Sequence, residues 1–224
     1  MTSQDWRLFA FTIGMALMSV AMLVPPGLCL AWLLARRNWR GKSLIETVVT
    51  MPMVLPPVAT GLILLKLFSR RGWIGGFLWK SFGFTIVFNW RGVVVALAIM
   101  SFPLFVRSAR VALAGVNPRF EQIAATLGAS PVRIFWTVTL PLARRGILAG
   151  VLLAMARALG EFGATVVLAG NIPDQTQTVS LAIYQSIQTG DDAHALRLLG
   201  VSIATAFTLV GLSERFSSRS RASV

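Results

Sequence analysis

NPRFEQIAATLGASPVRIFWTVTLP, residues 117–141, is the one long polar interruption in this chain that reads as a folded element between apolar stretches. Asn117 is a good helix N-cap, Pro118 suits the first helical position, and Gly128 stands where a left-handed residue would end the helix. A capped helix of ~10 residues follows, roughly 15 Å long. Ser130 and Pro131 repeat the start signal, and Pro141 is expected to end a second short piece, so two helices should meet at a corner. Arg119, Glu121, Gln122 and Arg133 keep this element out of hydrocarbon, which places it in water beside whatever the apolar stretches cross.

Those stretches dominate the composition. Of 224 residues, 55% are hydrophobic and 13% charged, and mean hydropathy is +0.72, the profile of a multi-pass membrane protein. Five spans are expected, at 8–35, 47–65, 92–106, 147–170 and 198–213, each near the ~20 apolar residues that cross a bilayer. The first is read as a retained helix and not a signal peptide, because its apolar run is too long. Pro52, Pro56 and Pro57 should kink or break the second. The third, bracketed by Arg91 and Arg107 and bent by Pro103, is short and would be extended by snorkelling arginines.

Net charge is +13, and the cations flank spans instead of forming one aromatic-laced patch, so topology explains them better than nucleic-acid binding. Arg36, Arg37, Arg40 and Lys42 follow the first span, six arginines surround residues 117–141, and Arg215, Arg219 and Arg221 end the chain. Five-span parity puts all three groups on one side, the cytoplasm. The stretch 171–195 carries three aspartates and no lysine or arginine, and belongs outside with the N-terminus. One segment disobeys: Lys66, Arg70, Arg71, Lys80 and Arg91 fall outside by the same parity. Trp73, Trp79 and Trp90 among them suggest an interfacial element in contact with lipid, or else a basic vestibule that attracts an anion or an acidic partner.

The fourth span holds two charges. Arg157 and Glu161 are four residues apart and share a helix face, and the insertion cost of roughly 2.5–3.5 kcal/mol for such residues turns them toward protein or water. Gly160 and Gly163 flank the glutamate, and Gly146 with Gly150 forms a G-x-x-x-G pair suited to close approach of a helix in the same chain or a second copy. A pathway or interface site is therefore placed at Arg157, Gly160, Glu161 and Gly163.

The 117–141 stretch resembles the cytoplasmic coupling loop of ABC importer permeases, in which E-A-A is followed by three residues, a glycine, nine residues and I-x-L-P. Aligned on Gly128, the second half matches through Leu140 and Pro141, while Gln122, Ile123 and Ala124 fall on E-A-A and Glu121 lies one residue early. LGEFGA and GNIP in the fourth span resemble permeases of sulfate and molybdate importers. RRGWIGG from Arg70, SFPLFVRSARVAL from Ser101 and GNIPDQTQTVSLAIY from Gly170 resemble the molybdate group more closely.

The resemblance implies an all-α membrane protein of type I ABC importer permease architecture, with an outer segment 1–7, a permease domain 8–214 and a basic cytoplasmic tail 215–224. It implies a coupling surface at Glu121, Gln122, Ala124, Ala125, Gly128, Leu140 and Pro141, docked on an ATPase subunit present in two copies. A permease homodimer and a periplasmic or extracellular molybdate-binding protein complete the implied assembly in the inner membrane. Sulfate or tungstate are the alternative substrates; a channel or ion-coupled carrier built on Arg157 and Glu161 is the alternative function.

Other signals carry no chemistry. Gly41-Lys42-Ser43 imitates the end of a phosphate-binding loop, but Arg36 occupies the position of its first glycine. His194 reads as a solvated loop residue and Cys29 as a small core residue, with no metal-ligand spacing around either. No enzyme constellation, metal or cofactor is expected.

Overall fold

The computed structural model describes residues 2–221, and all regular structure among them is helical. Helix α1, Ser3–Arg36, runs uninterrupted through Pro25 and Pro26. A capping box between Thr2 and Asp5 starts it, so residues 3–7 of the expected outer segment are helical. Helices α2, Lys42–Val54, and α3, Pro57–Phe68, are bent by 112° at a break. The cause is local: Pro56 and Pro57 remove two amide donors, and Leu55 takes an extended conformation, as a residue before proline must.

Helix α4, Trp73–Phe82, connects to α5, Trp90–Ala114. The third span is thus not short. It continues past Arg107, which lies inside the helix and not at its end, because 108–114 is a helix-compatible run that packs on neighbouring helices. Helix α6 is Pro118–Thr126 and α7 is Pro131–Ile134. A π-helical turn, Phe135–Thr139, then leads directly into α8, Leu140–Leu159. Here the expectation of a stop at Pro141 fails. The widened turn absorbs the proline: the Leu140 amide bonds back to the Phe135 carbonyl, five residues away, and the helical path is kept.

The fourth span is displaced accordingly, to Pro131–Leu159, and it ends well before Gly170. Gly160, Glu161 and Phe162 interrupt it, and Gly163–Ala169 forms a separate short helix, α9. Helix α10, Val179–Thr189, and α11, Asp192–Arg221, complete the chain. The basic tail from 215 continues α11 as far as Arg221, and its last three residues lie outside the described ones. Among the described residues four helices are long and apolar enough to cross a membrane, which makes up to five spans when the bent α2–α3 pair counts as one.

The main core lies between α1, α5 and α8, with Leu23, Ala31, Phe105, Ala109, Leu113 and Ala154 at its centre. Glycines bring these helices into near-backbone contact. A β-carbon on Gly27 would stand 2.7 Å from the Phe105 ring, one on Gly146 2.5 Å from Ala112 Cβ, and one on Gly150 2.9 Å from Ser108 Oγ. The G-x-x-x-G pair therefore packs against α5 of the same chain. A second core, containing Leu64, Val95, Met100, Ala164 and Leu168, joins α3, α5 and α9. Gly61 lies against Ala164 and Gly163 against Pro57, so the two broken helices touch beside their breaks.

The helix directions sort the polar residues to two ends. Arg36, Val116, Glu121 and Thr139 meet at one; Asp5, Ser186 and His194 meet at the other.

Candidate functional site

At the first end, α6 is closed by both caps read from the sequence. Asn117 Oδ1 accepts the Arg119 amide at 3.0 Å, and Pro118 fills the first helical position. Gly128 has φ +79°, the Ala129 amide reaches the Ala124 carbonyl, and the Gly128 amide reaches that of Ala125. This is a complete Schellman motif, which fixes where the chain turns toward α7. Ser130 caps α7 by accepting the Arg133 amide.

The faces of α6 divide sharply. Phe120, Ile123 and Leu127 are 53%, 58% and 83% exposed, and Val132 and Trp136 extend the apolar surface beyond the turn. Gln122, Ala125 and Gly128 lie on the exposed side and Ala124 is half-buried. Glu121 points the other way. Its Oε1 receives Arg36 Nη2 at 2.8 Å and Thr139 Oγ1 at 2.7 Å, and the same guanidinium donates to the Val116 carbonyl at 3.1 Å. One carboxylate thus ties α6 to the end of α1 and to the π turn. Leu140 and Pro141 are not on the α6 surface; they open α8 just beyond that turn.

The second cluster is where α8 breaks. Arg157 and Glu161 pair at 2.7 Å, with Glu161 1% exposed in its side chain and Arg157 33%. Glu161 is no longer on the helix that carries Arg157, yet the i,i+4 spacing survives the break. Its other oxygen accepts the Ala164 amide at 2.9 Å and so caps α9. Gly163 is buried against Pro57 and Val58, whereas Gly160 is exposed and a β-carbon there would make only ordinary contact, at 3.9–4.0 Å, with the Ala156 and Arg157 carbonyls. Two of the four expected site residues are therefore chemically engaged and one is a packing contact.

The sequence reading missed three long-range pairs. Arg36–Glu121 is one, and Glu46–Arg110 at 2.8 Å is another. The third corrects the reading of His194, which is not simply solvated: its Nε2 lies 3.0 Å from Asp5 Oδ1 and its Nδ1 3.0 Å from Ser186 Oγ. A signal existed, because eight acidic residues against 21 basic ones make every carboxylate near an apolar span a committed partner.

Residues 27–214 match the family described as binding-protein-dependent transport system inner membrane component. The chain belongs to that family. Among these inner membrane components, the molybdenum transport system permease protein ModB of Escherichia coli (strain K12) is 46% identical over 222 residues, covering 99% of this chain and 97% of that one. The sulfate transport system permease protein CysT of Salmonella typhimurium is 37% identical, covering 86% and 71%. A bacterial alginate ABC transporter, solved in complex with an alginate pentasaccharide-bound periplasmic protein, has the same fold, with TM-score 0.73 at 16% identity, covering 97% of this chain and 80% of that one. The family, the length of the match and the helices together make this a multi-pass transport component of the inner membrane.

Proposed function

We propose that this chain is the permease subunit of an ATP-driven importer that carries molybdate across the cytoplasmic membrane by alternating access. The observation that carries the role is α6, a doubly capped helix that presents apolar side chains outward while its one carboxylate is bonded back into the bundle. That arrangement suits a rigid handle for a partner in trans, here two copies of an ATPase. The substrate assignment rests on similarity: 46% identity to a molybdenum permease against 37% to a sulfate permease. Molybdate and tungstate are tetrahedral dianions of nearly equal size, and a soluble binding protein that delivers the anion would select between them.

The geometry supplies a route for the motion. Force on α6 passes through Glu121 to Arg36 of α1 and through Thr139 to the π turn, then along α8, which glycine contacts hold against α5. Its far end is the Arg157–Glu161 pair at the break, where a gate between two permease copies would sit. A pathway at a homodimer interface fits the small number of spans in one chain. The charge asymmetry orients each copy with its N-terminus outside and its C-terminus in the cytoplasm.

Reconstitution tests the reading. Proteoliposomes holding the permease, its ATPase and the molybdate-binding protein should accumulate molybdate only with ATP inside the vesicle-facing ATPase compartment. Uptake by the permease alone, following membrane potential or a proton gradient, would favour the carrier reading instead.

A further inference from the structure

The segment between α3 and α5 is left unexplained by the transport route. That segment and the helix ends beside it carry five cations, Lys66 in α3, Arg70, Arg71 and Lys80 in the connection and Arg91 in α5, and no acidic residue occurs anywhere between Glu46 and Glu121. Helix α5 runs from this segment to Ala114, two residues before Val116, whose carbonyl binds Arg36, so α4 lies at the end of the bundle opposite α6. A 25-residue helix separates the two, roughly 37 Å of rise.

Two glycines set the position of α4. A β-carbon on Gly72 would stand 2.1 Å from the Lys66 carbonyl oxygen, and one on Gly75 2.0 Å from that of Phe68. The helix is therefore laid directly on the last carbonyls of α3, at the level where that span ends. Gly75 is buried on this contact, and the opposite face is free. Trp73, Phe77 and Lys80, at spacings of four and three, share it, with Trp73 91% and Phe77 63% exposed. Arg70 stacks over the Trp79 ring at 4.0 Å, while Lys66, Arg71 and Lys80 are exposed and make no ion pair among the described residues.

We propose that α4 and its flanking cations form a docking surface for anionic phospholipid headgroups at the membrane surface. The bulky apolar side chains enter the acyl boundary and the cations take the phosphates. Charge complementarity argues for an anionic occupant, and the exposed aromatic face at the end of a span argues for lipid over a soluble acidic protein. The inference rests on the membrane location of the family and is independent of which anion is transported.

The test uses the full chain in nanodiscs of equal phosphatidylglycerol and phosphatidylcholine, with bound lipid counted by native mass spectrometry after release. The unmodified chain should retain phosphatidylglycerol in excess. The combined variant Lys66→Gln, Arg71→Gln, Lys80→Gln should lower the phosphatidylglycerol to phosphatidylcholine ratio on the order of 100-fold, at about fivefold per cation removed. A control at the other end, Arg37→Gln, Arg40→Gln, Lys42→Gln, should keep most of the excess. No enrichment on the unmodified chain, a loss under threefold in the α4 variant, or equal losses in both variants overturns the proposal. So does a result in which the α4 variant keeps its lipid but loses binding to the soluble receptor that the unmodified chain shows.

Discussion

Arg36 and Glu121 are 85 residues apart in the chain and 2.8 Å apart in space, and the bond between them fastens the α6 handle to the first transmembrane helix. Both side chains are mostly but not fully buried, and Thr139 shares the carboxylate, so the pair belongs to a small network. Glu121→Ala should lower ATP-dependent uptake at least tenfold while leaving the amount of permease in the membrane near normal. In a double-mutant cycle with Arg36→Ala the coupling should be on the order of 1 kcal/mol, reduced by partial solvent screening. Strictly additive single effects would show that the two residues act independently.

Gly128 isolates a backbone requirement. Its φ of +79° excludes most L side chains, yet a β-carbon there would meet nothing within 4 Å. Any defect of Gly128→Val must therefore come from backbone strain, roughly 1–2 kcal/mol, and not from crowding. Gly128→Val should insert normally but hydrolyse ATP without uptake in the reconstituted system, whereas Gly128→Asn, which tolerates the left-handed region better, should retain more transport. Equal transport by both variants and the parent would remove the docking role of this turn.

The two members of the buried pair should not be equivalent. Arg157→Gln strands a carboxylate that is 1% exposed, with only the Ala164 amide and the glutamine to hold it. Breaking such a pair from this side costs ~3–5 kcal/mol. Glu161→Gln leaves an arginine with access to solvent and keeps an acceptor for Ala164, so its cost should be smaller. Thermal unfolding in detergent should rank the variants in that order, and molybdate uptake should fall in both. Normal transport by both would reduce the pair to a structural contact.

Sidedness can be read chemically. Cys29 is the sole cysteine, so Cys29→Ala combined with Ala129→Cys gives one thiol beside the Schellman turn. It should react with impermeant maleimide only from the cytoplasmic face, and protection should appear when the ATPase binds. Labelling from the outside would reverse the orientation and displace the docking surface with it.

What could be read from sequence follows the range of the interaction. Asn117, Pro118, Gly128 and Ser130 act within about one helical turn, and their caps were legible residue by residue. The Arg157–Glu161 pair was legible for the same reason, although the break beneath it was not, since 147–170 is apolar enough to read as one helix. Pro141 misled, because proline signals a stop and nothing in the residue string shows that a π turn will accommodate it. Glu121 was read by position in a motif; its orientation depends on Arg36, which only the packing of α1 against α5 and α8 brings near. His194 was misread likewise, its partner Asp5 being 189 residues away.

The contact of Gly163 with Pro57 gives the molecule an uneven mechanical character. Where α1, α5 and α8 meet, Gly27, Gly146 and Gly150 fit closely against Phe105, Ala112 and Ser108, and the three long helices are packed as one block. Compliance is left to the interruptions at Leu55–Pro56 and at Gly160–Phe162, and these abut. They form a single joint with two leaves, so a bend in either broken helix is registered by the other where Gly163 meets Pro57 and Gly61 meets Ala164.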